Sequence, residues 1–384
     1  MAFNKKTAAE FFSGIGLVRL ALNGSDWESV FSNDNDPEKC QMYSHNFSDA
    51  EKVLLPDDIN KLHGASIPDV ILATASFPCN DLSLAGSLNG IDGAQSGAFW
   101  HFVRILKEMG ERKPPLVLIE NVTGFLTCHK GQDFQRAMLA LNELGYACDP
   151  FIVDASHFLP QSRRRLFVVA TPVEMNKPQL AKGLRLPESE LRPRILTRFI
   201  FEHPEIRWHI RSLPPLPQRS KSLEDILEDL PESSPYWWSG ERAEYLLNQM
   251  SSKHRVVAES MINSDTLSYG TVFRRVRHHR SMAELRTDGI AGCLRTPRGG
   301  SGRQILFAAG KGSYAVRLLT PRECARLQGV PDSYVIDVSL NQALFGFGDA
   351  VCIPVIEWIA KNYIDPVAEE LYTDQVPSLL AVNA

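Results

Sequence analysis

The sequence predicts an α/β protein with a doubly wound, mainly parallel sheet and a second, smaller, irregular domain that contains β structure. Short apolar runs of strand length alternate with stretches of helical spacing from Thr7 to Ala170, which is typical of such a sheet. After Thr171 the alternation stops, and residues 172–220 are rich in proline and arginine. With 384 residues, 44% of them hydrophobic, the chain is long enough for one large domain and one smaller one.

Composition limits the class of protein before any motif is considered. The formal net charge of −4 gives no sign of a polyanionic partner, so a nucleic-acid site would have to be a local basic face. Seven cysteines without a C-x-x-C pair favour reduced thiols in a cytoplasm and no structural metal. No apolar run approaches ~18 residues and the N-terminus lacks a signal core, so we expect neither secretion nor a membrane span.

The first predicted strand, residues 7–12, leads into the turn Phe12-Ser13-Gly14-Ile15-Gly16 and a helix over residues 17–22. A glycine turn between a strand and a helix is typical of a nucleotide site. The alternative is that the glycines serve only steric needs of the turn, which is common.

The second predicted strand, residues 29–32, ends in Asn33-Asp34-Asn35-Asp36. An acidic residue ~20 positions after the glycine turn holds the ribose hydroxyls in nucleotide-binding folds. Asp34 alternatively caps the helix predicted over residues 37–47, and both roles are compatible.

The most informative stretch is Ser76-Phe77-Pro78-Cys79-Asn80-Asp81-Leu82-Ser83, which follows the apolar strand Val70-Ile71-Leu72-Ala73. Pro78 fixes its own φ and favours an extended residue before it, so the turn presents Cys79 beyond the carboxyl end of the strand. Open α/β sheets bind their ligands at that edge. Cys79 is therefore a candidate nucleophile, and the alternative is a small buried apolar residue.

Charged groups accompany two later strands of the same predicted sheet. The strand over residues 116–119 ends in Glu120, for which a cleft carboxyl is favoured over a solvated loop. The run Gln161-Ser162-Arg163-Arg164-Arg165 precedes the strand over residues 166–170, where guanidinium groups suit an anion or developing negative charge. The alternative is a basic cluster on the surface, which the arginine triplet taken alone would favour. The remaining elements predicted up to Thr171 are a helix over residues 97–109, a helix over 134–144 and a strand over 147–153.

The second region is predicted to be irregular and locally basic over residues 250–303, and its arginines suit phosphate contacts. A flexible solvated loop is the alternative. The helices predicted beyond Thr171 cover residues 222–230, 321–327 and 353–359.

Six short blocks, in order along the chain, resemble the conserved blocks of the DNA cytosine-5 methyltransferases, in particular the compact bacterial restriction-modification type. They are Phe12-Ser13-Gly14-Ile15-Gly16, Phe77-Pro78-Cys79-Asn80, Glu120-Asn121-Val122, Gln161-x-Arg163-x-Arg165, Pro321-Arg322-Glu323 and Gly348-Asp349-Ala350-Val351. The resemblance implies a Rossmann-like, S-adenosylmethionine-dependent fold. It also implies a catalytic domain over residues 1–190 plus 338–384 and a target-recognition domain over residues 191–337.

The resemblance implies a chemical role for the charged groups and the cysteine. Cytosine C5 is too weak a nucleophile to take a methyl group directly, so Cys79 would add to C6 and activate the ring. Glu120 would supply a hydrogen bond or proton at N3, and Arg165, with Arg163, would hold O2. The target base would have to be flipped out of the duplex.

The same resemblance implies ligand contacts for two further sets of residues. Cofactor contacts with S-adenosylmethionine, and with its product S-adenosylhomocysteine, are implied for Phe12, Gly14, Ile15, Gly16, Asp34, Asn35, Asp58, Ile59, Pro78, Phe99, Trp100, Asp349, Ala350 and Val351. DNA contacts are expected for Ser83, Arg274, Arg275, Arg277, Arg295, Arg298 and Arg303.

The sequence departs from the family's pattern at two positions. Asn80 stands where glutamine is usual, which keeps an amide on a shorter stem. Asp349 stands where asparagine is usual, which replaces a donor-acceptor amide by an acceptor when ionised.

The favoured prediction is a sequence-specific DNA cytosine-5 methyltransferase that acts as a cytoplasmic, nucleoid-associated monomer on double-stranded DNA. A cognate restriction endonuclease is a candidate partner that the enzyme does not physically require. The alternatives are an RNA (tRNA) cytosine-5 methyltransferase and a catalytically impaired DNA-binding relative. A nicotinamide dehydrogenase would explain the glycine turn but neither Cys79 nor Glu120.

Overall fold

The computed structural model describes residues 5–82, 89–93, 95–175, 186–277, 280–296 and 302–371. The described chain forms two compact units. Unit 1 lies within Met1–Val153, Arg164–Pro215 and Val355–Ala384, and unit 2 lies within Asp154–Arg163 and Leu216–Pro354. These units differ from the predicted functional domains over residues 154–163, 191–215 and 338–354, and the functional division stays a prediction.

Unit 1 is built on a seven-stranded sheet. Its strands are β1 (Thr7–Phe11), β2 (Glu28–Asn33), β3 (Leu54–Leu55), β4 (Leu72–Ala75), β5 (Leu116–Val122), β6 (Tyr146–Asp154) and β7 (Arg164–Pro172). The strand order is β3-β2-β1-β4-β5-β7-β6. Strands β1 to β5 pair in parallel and β7 runs antiparallel to β5. The predicted α/β class with a mainly parallel sheet is confirmed.

Helices connect the strands of unit 1 and continue into unit 2. In chain order they are α1 (Leu17–Asn23), α2 (Pro37–Asn46), α3 (Ala50–Val53), α4 (Ala98–Met109), α5 (Gly124–Thr127), α6 (Gln132–Glu143), α7 (Arg194–Glu202), α8 (Gly240–Asn248), α9 (Ser252–Ile262), α10 (Pro321–Leu327), α11 (Leu340–Asp349) and α12 (Ile353–Ile359). The residues of β4 are buried throughout, as are all but the last of β5, which is typical of central parallel strands covered on both faces.

Strands β2, β1 and β4 of unit 1 are level at their carboxyl ends, and β5 runs past that level to Val122. Phe11 of β1 pairs with Asn33 of β2 on one side and with Ala75 of β4 on the other. Ala75 in turn pairs with Ile119 of β5. The chain segments that follow these strands therefore begin at one edge of the sheet, where open α/β sheets bind ligands.

Unit 2 contains a four-stranded antiparallel sheet. Its strands are β8 (Ser268–Arg277), β9 (Arg280–Arg286), β10 (Ile305–Gly310) and β11 (Ser313–Leu318), in the order β11-β10-β8-β9. The prediction of an irregular stretch over residues 250–303 is wrong, since α9, β8 and β9 lie within it. In β9 only Ala283 and Leu285 are fully buried, and the charged residues between and around them hide the strand period.

Other predictions of elements also need correction. The helix predicted over residues 222–230 is only a single 3₁₀ turn, Glu224–Ile226. Arg326 Nη1 donates to the carbonyl oxygens of Ile226 (3.1 Å) and Leu227 (3.2 Å), so these groups are engaged outside any local helix. Strand β4 begins at Leu72 rather than residue 70, and helix α11 was not predicted.

One helical run in the described part of the chain has the length and composition of a membrane span. The helical run over residues 340–371 is long and apolar enough to cross a membrane, but 67% of its most apolar window is buried within the protein. Such burial is typical of a core helix, whose apolar surface is already covered by protein.

Candidate active site

Cys79 lies just beyond β4 in unit 1 and is half-buried. The segment around it is fixed by hydrogen bonds. Asn121 Nδ2 donates to the carbonyl oxygen of Phe77 (3.0 Å), and Ser96 Oγ donates to that of Pro78 (2.8 Å). Asn80 Nδ2 donates to Gln95 Oε1. The cysteine predicted as nucleophile is thus held at the edge of the sheet rather than sealed in the core.

Asp81 supports the same segment and was not predicted as a site residue. Its carboxylate accepts from the backbone N–H groups of Gln95 (3.0 Å) and Ser96 (2.9 Å), and the residue is 5% exposed. A carboxylate that accepts two backbone hydrogen bonds near the start of α4 fixes the distance between Cys79 and that helix. The sequence feature that could have indicated this role is an acidic residue two positions after the cysteine.

Glu120 and Arg165 form an ion pair between adjacent strands of unit 1. Arg165 Nε lies 3.0 Å from Glu120 Oε1, and the side chains are 15% and 9% exposed. Oε1 is buried, and Arg165 is its charged partner, although the contact does not have the geometry of a hydrogen bond. The two groups are therefore held together as a largely buried ion pair.

The glycine turn after β1 is held against the end of β2. Gly14 N donates to Asp34 Oδ2 (2.8 Å) and Asp36 N donates to Asp34 Oδ1 (2.9 Å). Burial is the largest influence on Asp34 and raises the pKa of its carboxyl above the ordinary value. Gly16 has φ of 81°, and a Cβ there would lie 2.4 Å from Phe47 Cε2, so no other residue fits.

The residues of this turn fit the cofactor that the resemblance implies. Ser13 Oγ is buried next to Gly14 and has no hydrogen-bond partner among the described residues. Asn33 Nδ2 donates to the carbonyl oxygens of Leu55 (3.0 Å) and Asp57 (2.7 Å), which brings the Asp58 turn beside the end of β2. A nucleoside with a ribose and a polar base could use these groups.

The other predicted cofactor residues of unit 1 differ in exposure. Ile15, Ile59 and Phe99 are buried at 0%, 5% and 0% exposure, so only their backbone or surface atoms could reach a ligand. Phe99 packs against Phe77 with ring centroids 5.2 Å apart. Trp100 is partly exposed and donates from Nε1 to Asp92 Oδ1 (3.0 Å), which makes it the more accessible of the two aromatic residues. Asn35 and Pro78 are exposed.

Arg163 belongs to unit 2 and is engaged differently from Arg165. Its guanidinium donates to the carbonyl oxygens of Leu294 (3.0 Å), Gly348 (3.2 Å) and Ala350 (2.6 Å), and the residue is 2% exposed. These bonds flank Asp349, whose side chain is exposed, while Val351 is buried. The two arginines predicted to act together are therefore parts of two separately described units.

The residues predicted to contact DNA lie in unit 2 or outside the described part of the chain. Arg275 and Arg295 are exposed, and Arg274 and Arg303 are partly exposed. Arg303 Nη2 donates to Asn341 Oδ1 (2.5 Å). Arg277 lies in β8, but its side chain is not among those described; Ser83 and Arg298 lie outside the described residues.

The Pro-Arg-Glu block is structural within unit 2. Glu323 forms a bidentate ion pair with Arg317, and both side chains are almost completely buried. Glu323 also accepts from the backbone N–H of Thr320 (2.8 Å) in a capping box at the start of α10. The block therefore fixes a helix start rather than presenting a group to a ligand.

One group of potential metal ligands occurs in the described ranges. Cys128, His129 and Asp133 of unit 1 place one ligand atom each within 4.8 Å of one another. His129 Nδ1 lies 3.0 Å from Asp133 Oδ2, and this oxygen also accepts from the backbone N–H of Ile91 (3.2 Å). The contact between His129 and Asp133 and the hydrogen bond from Ile91 therefore explain why these ligand atoms lie close together. The seven cysteines form no disulfide.

Comparison with known proteins connects this geometry to a family. A family model described as C-5 cytosine-specific DNA methylase matches residues 7–365. The type II methyltransferase M.HhaI of Haemophilus parahaemolyticus is 27% identical over 371 residues, which cover 92% of this chain and 92% of that protein. M.SsoII of Shigella sonnei is 28% identical over 366 residues, with 92% and 79% covered.

Solved structures share the fold at lower identity. The Dnmt2 methyltransferase of S. pombe superposes with a TM-score of 0.62 and 19% identity, over 94% of this chain and 98% of that one. The methyltransferase EhMeth of Entamoeba histolytica gives a TM-score of 0.63 and 15% identity, over 95% and 99%. At these identities the likeness shows the fold alone.

Proposed function

The chain belongs to the C-5 cytosine-specific DNA methylases and is a DNA cytosine-5 methyltransferase, and on that premise we propose that Cys79, Glu120 and Arg165 carry out its reaction. The observation that carries this proposal is the Glu120 carboxylate. It is buried, and its Oε1 lies 3.0 Å from Arg165 Nε, so a carboxyl group and a guanidinium group are held together in unit 1. It follows the same sheet edge as the Cys79 turn, because β4 and β5 are level at Ala75 and Ile119.

Each of the three residues has one task in the proposed reaction. The Cys79 thiolate adds to C6 of the flipped cytosine and makes C5 nucleophilic. Glu120 holds the proton at N3, and Arg165 stabilises the charge that develops on the ring. After a methyl group from the cofactor has bonded to C5 and S-adenosylhomocysteine has left, the C5 proton would pass to solvent and the C6–S bond would break, which restores the aromatic ring and the Cys79 thiolate.

S-adenosylmethionine, which the family's chemistry implies, supplies an electrophilic methyl group when bound. The residues proposed to hold it in unit 1 are Phe12, Gly14, Ile15, Gly16, Asp34, Asn35, Asp58, Ile59, Pro78, Phe99 and Trp100. The buried Ser13 Oγ and the Asp34 carboxylate support this assignment, because both are polar atoms held at the edge of the sheet. In unit 2 the proposed cofactor residues are Asp349, Ala350 and Val351.

The proposed substrate is double-stranded DNA with a specific recognition sequence, read by the arginines of unit 2. The relatives with 25–28% identity carry names of type II methyltransferases, which supports a role in restriction-modification beside a cognate endonuclease. We expect a cytoplasmic, nucleoid-associated monomer.

Methyl transfer to DNA and to tRNA separates this proposal from its nearest rival. The purified protein is incubated with radiolabelled S-adenosylmethionine and either unmethylated duplex DNA or tRNA. Label in DNA is the expected result, and label in tRNA alone contradicts the proposal. Bisulfite sequencing of DNA from cells expressing the chain then identifies the methylated sequence. Cofactor binding without transfer to either substrate would indicate a catalytically impaired relative.

A further inference from the structure

A buried polar cluster in unit 2 joins two segments for which different ligands are proposed. One is the segment Gly348–Ala350, at the end of α11, and the other is the segment Leu294–Thr296. The Arg163 guanidinium reaches both, because Nη1 donates to the carbonyl oxygen of Leu294 and Nη2 to that of Ala350. Both Nη groups thus bond to backbone carbonyl oxygens.

Two buried glutamines make a second connection between the same segments. Gln161 Oε1 accepts from the backbone N–H of Leu294 (3.1 Å), and its Nε2 lies 3.2 Å from Gln328 Oε1. Gln328 Nε2 donates to the carbonyl oxygens of Phe347 (2.6 Å) and Ala350 (3.2 Å). Both glutamines are completely buried, so these bonds are shielded from competition with water.

The two segments also touch directly. A Cβ on Gly348 would lie 2.6 Å from the carbonyl carbon of Arg295 and 2.7 Å from the nitrogen of Thr296. Glycine is therefore required for this close approach. A shift of one segment must displace the other or break the bonds of Arg163.

We infer that Arg163 is a positioning residue that couples the proposed cofactor segment to the proposed DNA segment, and that it does not contact the base. The inference rests on the proposed function, in which Asp349 and its neighbours hold the cofactor and the exposed Arg295 meets DNA. The planar fork of arginine suits several carbonyl acceptors at fixed angles, whereas lysine offers a single ammonium group. By thermodynamic linkage, DNA and cofactor then change each other's affinity by one common factor.

The coupling is measured with S-adenosylhomocysteine as the probe. Its dissociation constant is determined by calorimetry, alone and with a duplex carrying the sequence found by bisulfite sequencing. For the wild type we expect tighter binding with the duplex, by a factor in the usual range of about 5–150. For Arg163→Lys we expect binding without DNA to weaken about tenfold or more, and the effect of the duplex to disappear.

Two neighbouring arginines provide matched controls. Arg164, which is exposed, should behave as wild type when changed to lysine. Arg165→Lys should leave the affinity for S-adenosylhomocysteine without DNA unchanged. With saturating S-adenosylmethionine and plasmid DNA amplified with 5-fluorodeoxycytidine triphosphate, Arg163→Lys should still form the covalent complex, whereas Arg165→Lys should not.

A second variant strains the same contact while keeping the arginine side chain. Gly348→Ala forces the two segments apart and so weakens the bonds from Arg163 that connect them, and it should also abolish the effect of DNA on S-adenosylhomocysteine binding. Wild-type affinity and coupling in Arg163→Lys, or loss of the covalent complex with coupling intact, would overturn the inference. A wild type that binds S-adenosylhomocysteine without any effect of DNA would do so as well. A wild type that methylates no DNA contradicts the proposed function instead, and the DNA-free affinity of Arg163→Lys still tests the positioning role.

Discussion

Arg165 Nε and Glu120 Oε1 lie 3.0 Å apart on the antiparallel strands β7 and β5. The pair connects the antiparallel strand β7 to β5, which lies next to β4, the strand that precedes Cys79. Val122 is paired with Arg165 and Glu120 with Phe167, so the ladder itself fixes the strands from which both charged side chains project. Glu120 is thereby oriented by Arg165 before any substrate is present.

Glu120→Gln tests the role of the carboxyl group. The amide preserves the shape of the side chain but neither pairs with Arg165 as an ion nor transfers a proton. We expect the single-turnover rate of methyl transfer to fall by ~10²–10⁴, the usual contribution of general acid–base catalysis. The dissociation constant of S-adenosylhomocysteine, measured in parallel, should not change. An equal loss in both quantities would contradict the assigned role.

Asp34→Asn tests the cofactor site, with Asp36→Asn as its control. The half-buried Asp34 carboxylate accepts from Gly14 N, whereas Asp36 caps α2 through the N–H groups of Glu38 and Lys39. We expect Asp34→Asn to weaken S-adenosylhomocysteine binding at least about tenfold, a loss on the scale of a hydrogen bond to a charged group. Asp36→Asn should leave the affinity unchanged, because asparagine also caps helices well. Equal effects would remove Asp34 from the site.

Glu10 makes the stability of the protein depend on pH. It is completely buried in β1, and burial raises its pKa from the ordinary value of 4.5 to about 7, although Ser29 and Arg19 favour the charged form. Between these pH values the native state binds more protons than the unfolded chain. This group's contribution is therefore fully present below pH 4.5 and is lost as the pH rises through 7, by about 3 kcal/mol.

Glu10→Gln should flatten that slope, because glutamine does not titrate. The free energy of unfolding is measured by urea denaturation at several pH values between 4.5 and 8 for both proteins. As the pH increases, the free energy of unfolding of Glu10→Gln should rise relative to that of the wild type. Parallel curves over this range would show that Glu10 is not the responsible group.

The Arg192–Asp149 ion pair is expected to stabilise unit 1. Arg192 Nη2 lies 2.7 Å from Asp149 Oδ1, and the side chains are 9% and 0% exposed. Arg192→Met leaves a buried carboxylate without its cation, a change that typically costs about 3–5 kcal/mol. The neighbouring Arg194, whose side chain is 86% exposed, is the control, and Arg194→Met should alter the free energy of unfolding by less than about 0.5 kcal/mol. Similar losses in the two variants would contradict this account.

The sheet of unit 1 and its ligand edge follow from local sequence patterns. The apolar run before Pro78, the glycine turn after Phe11 and the strand before Glu120 each carry a short signal. Parallel strands in one sheet end at a common edge, so we expect the three segments that follow these strands to lie close together at that edge. The register of Phe11, Ala75 and Ile119 agrees with that expectation.

Other features depend on partners far along the chain. Arg163 and Arg165 are equivalent in the sequence block, but Arg163 binds carbonyl groups 131 and 185 positions away. The helix expected over residues 222–230 does not form; instead Arg326 donates to the Ile226 carbonyl oxygen, and the Glu323 carboxylate accepts from the Glu228 N–H. Both partners lie about a hundred positions further along the chain. Such contacts leave no periodic trace near the residue, so local reasoning could not find them.

Covalent trapping at Cys79 is the most direct test of the central claim that this thiol attacks the flipped cytosine. Wild-type protein is incubated with S-adenosylmethionine and duplex DNA that contains 5-fluorocytosine, and the product is analysed on a denaturing gel and by peptide mass spectrometry. The account predicts a stable complex attached at Cys79 for the wild type and none for Cys79→Ser. A complex that persists in Cys79→Ser, or one attached to another residue, would contradict it.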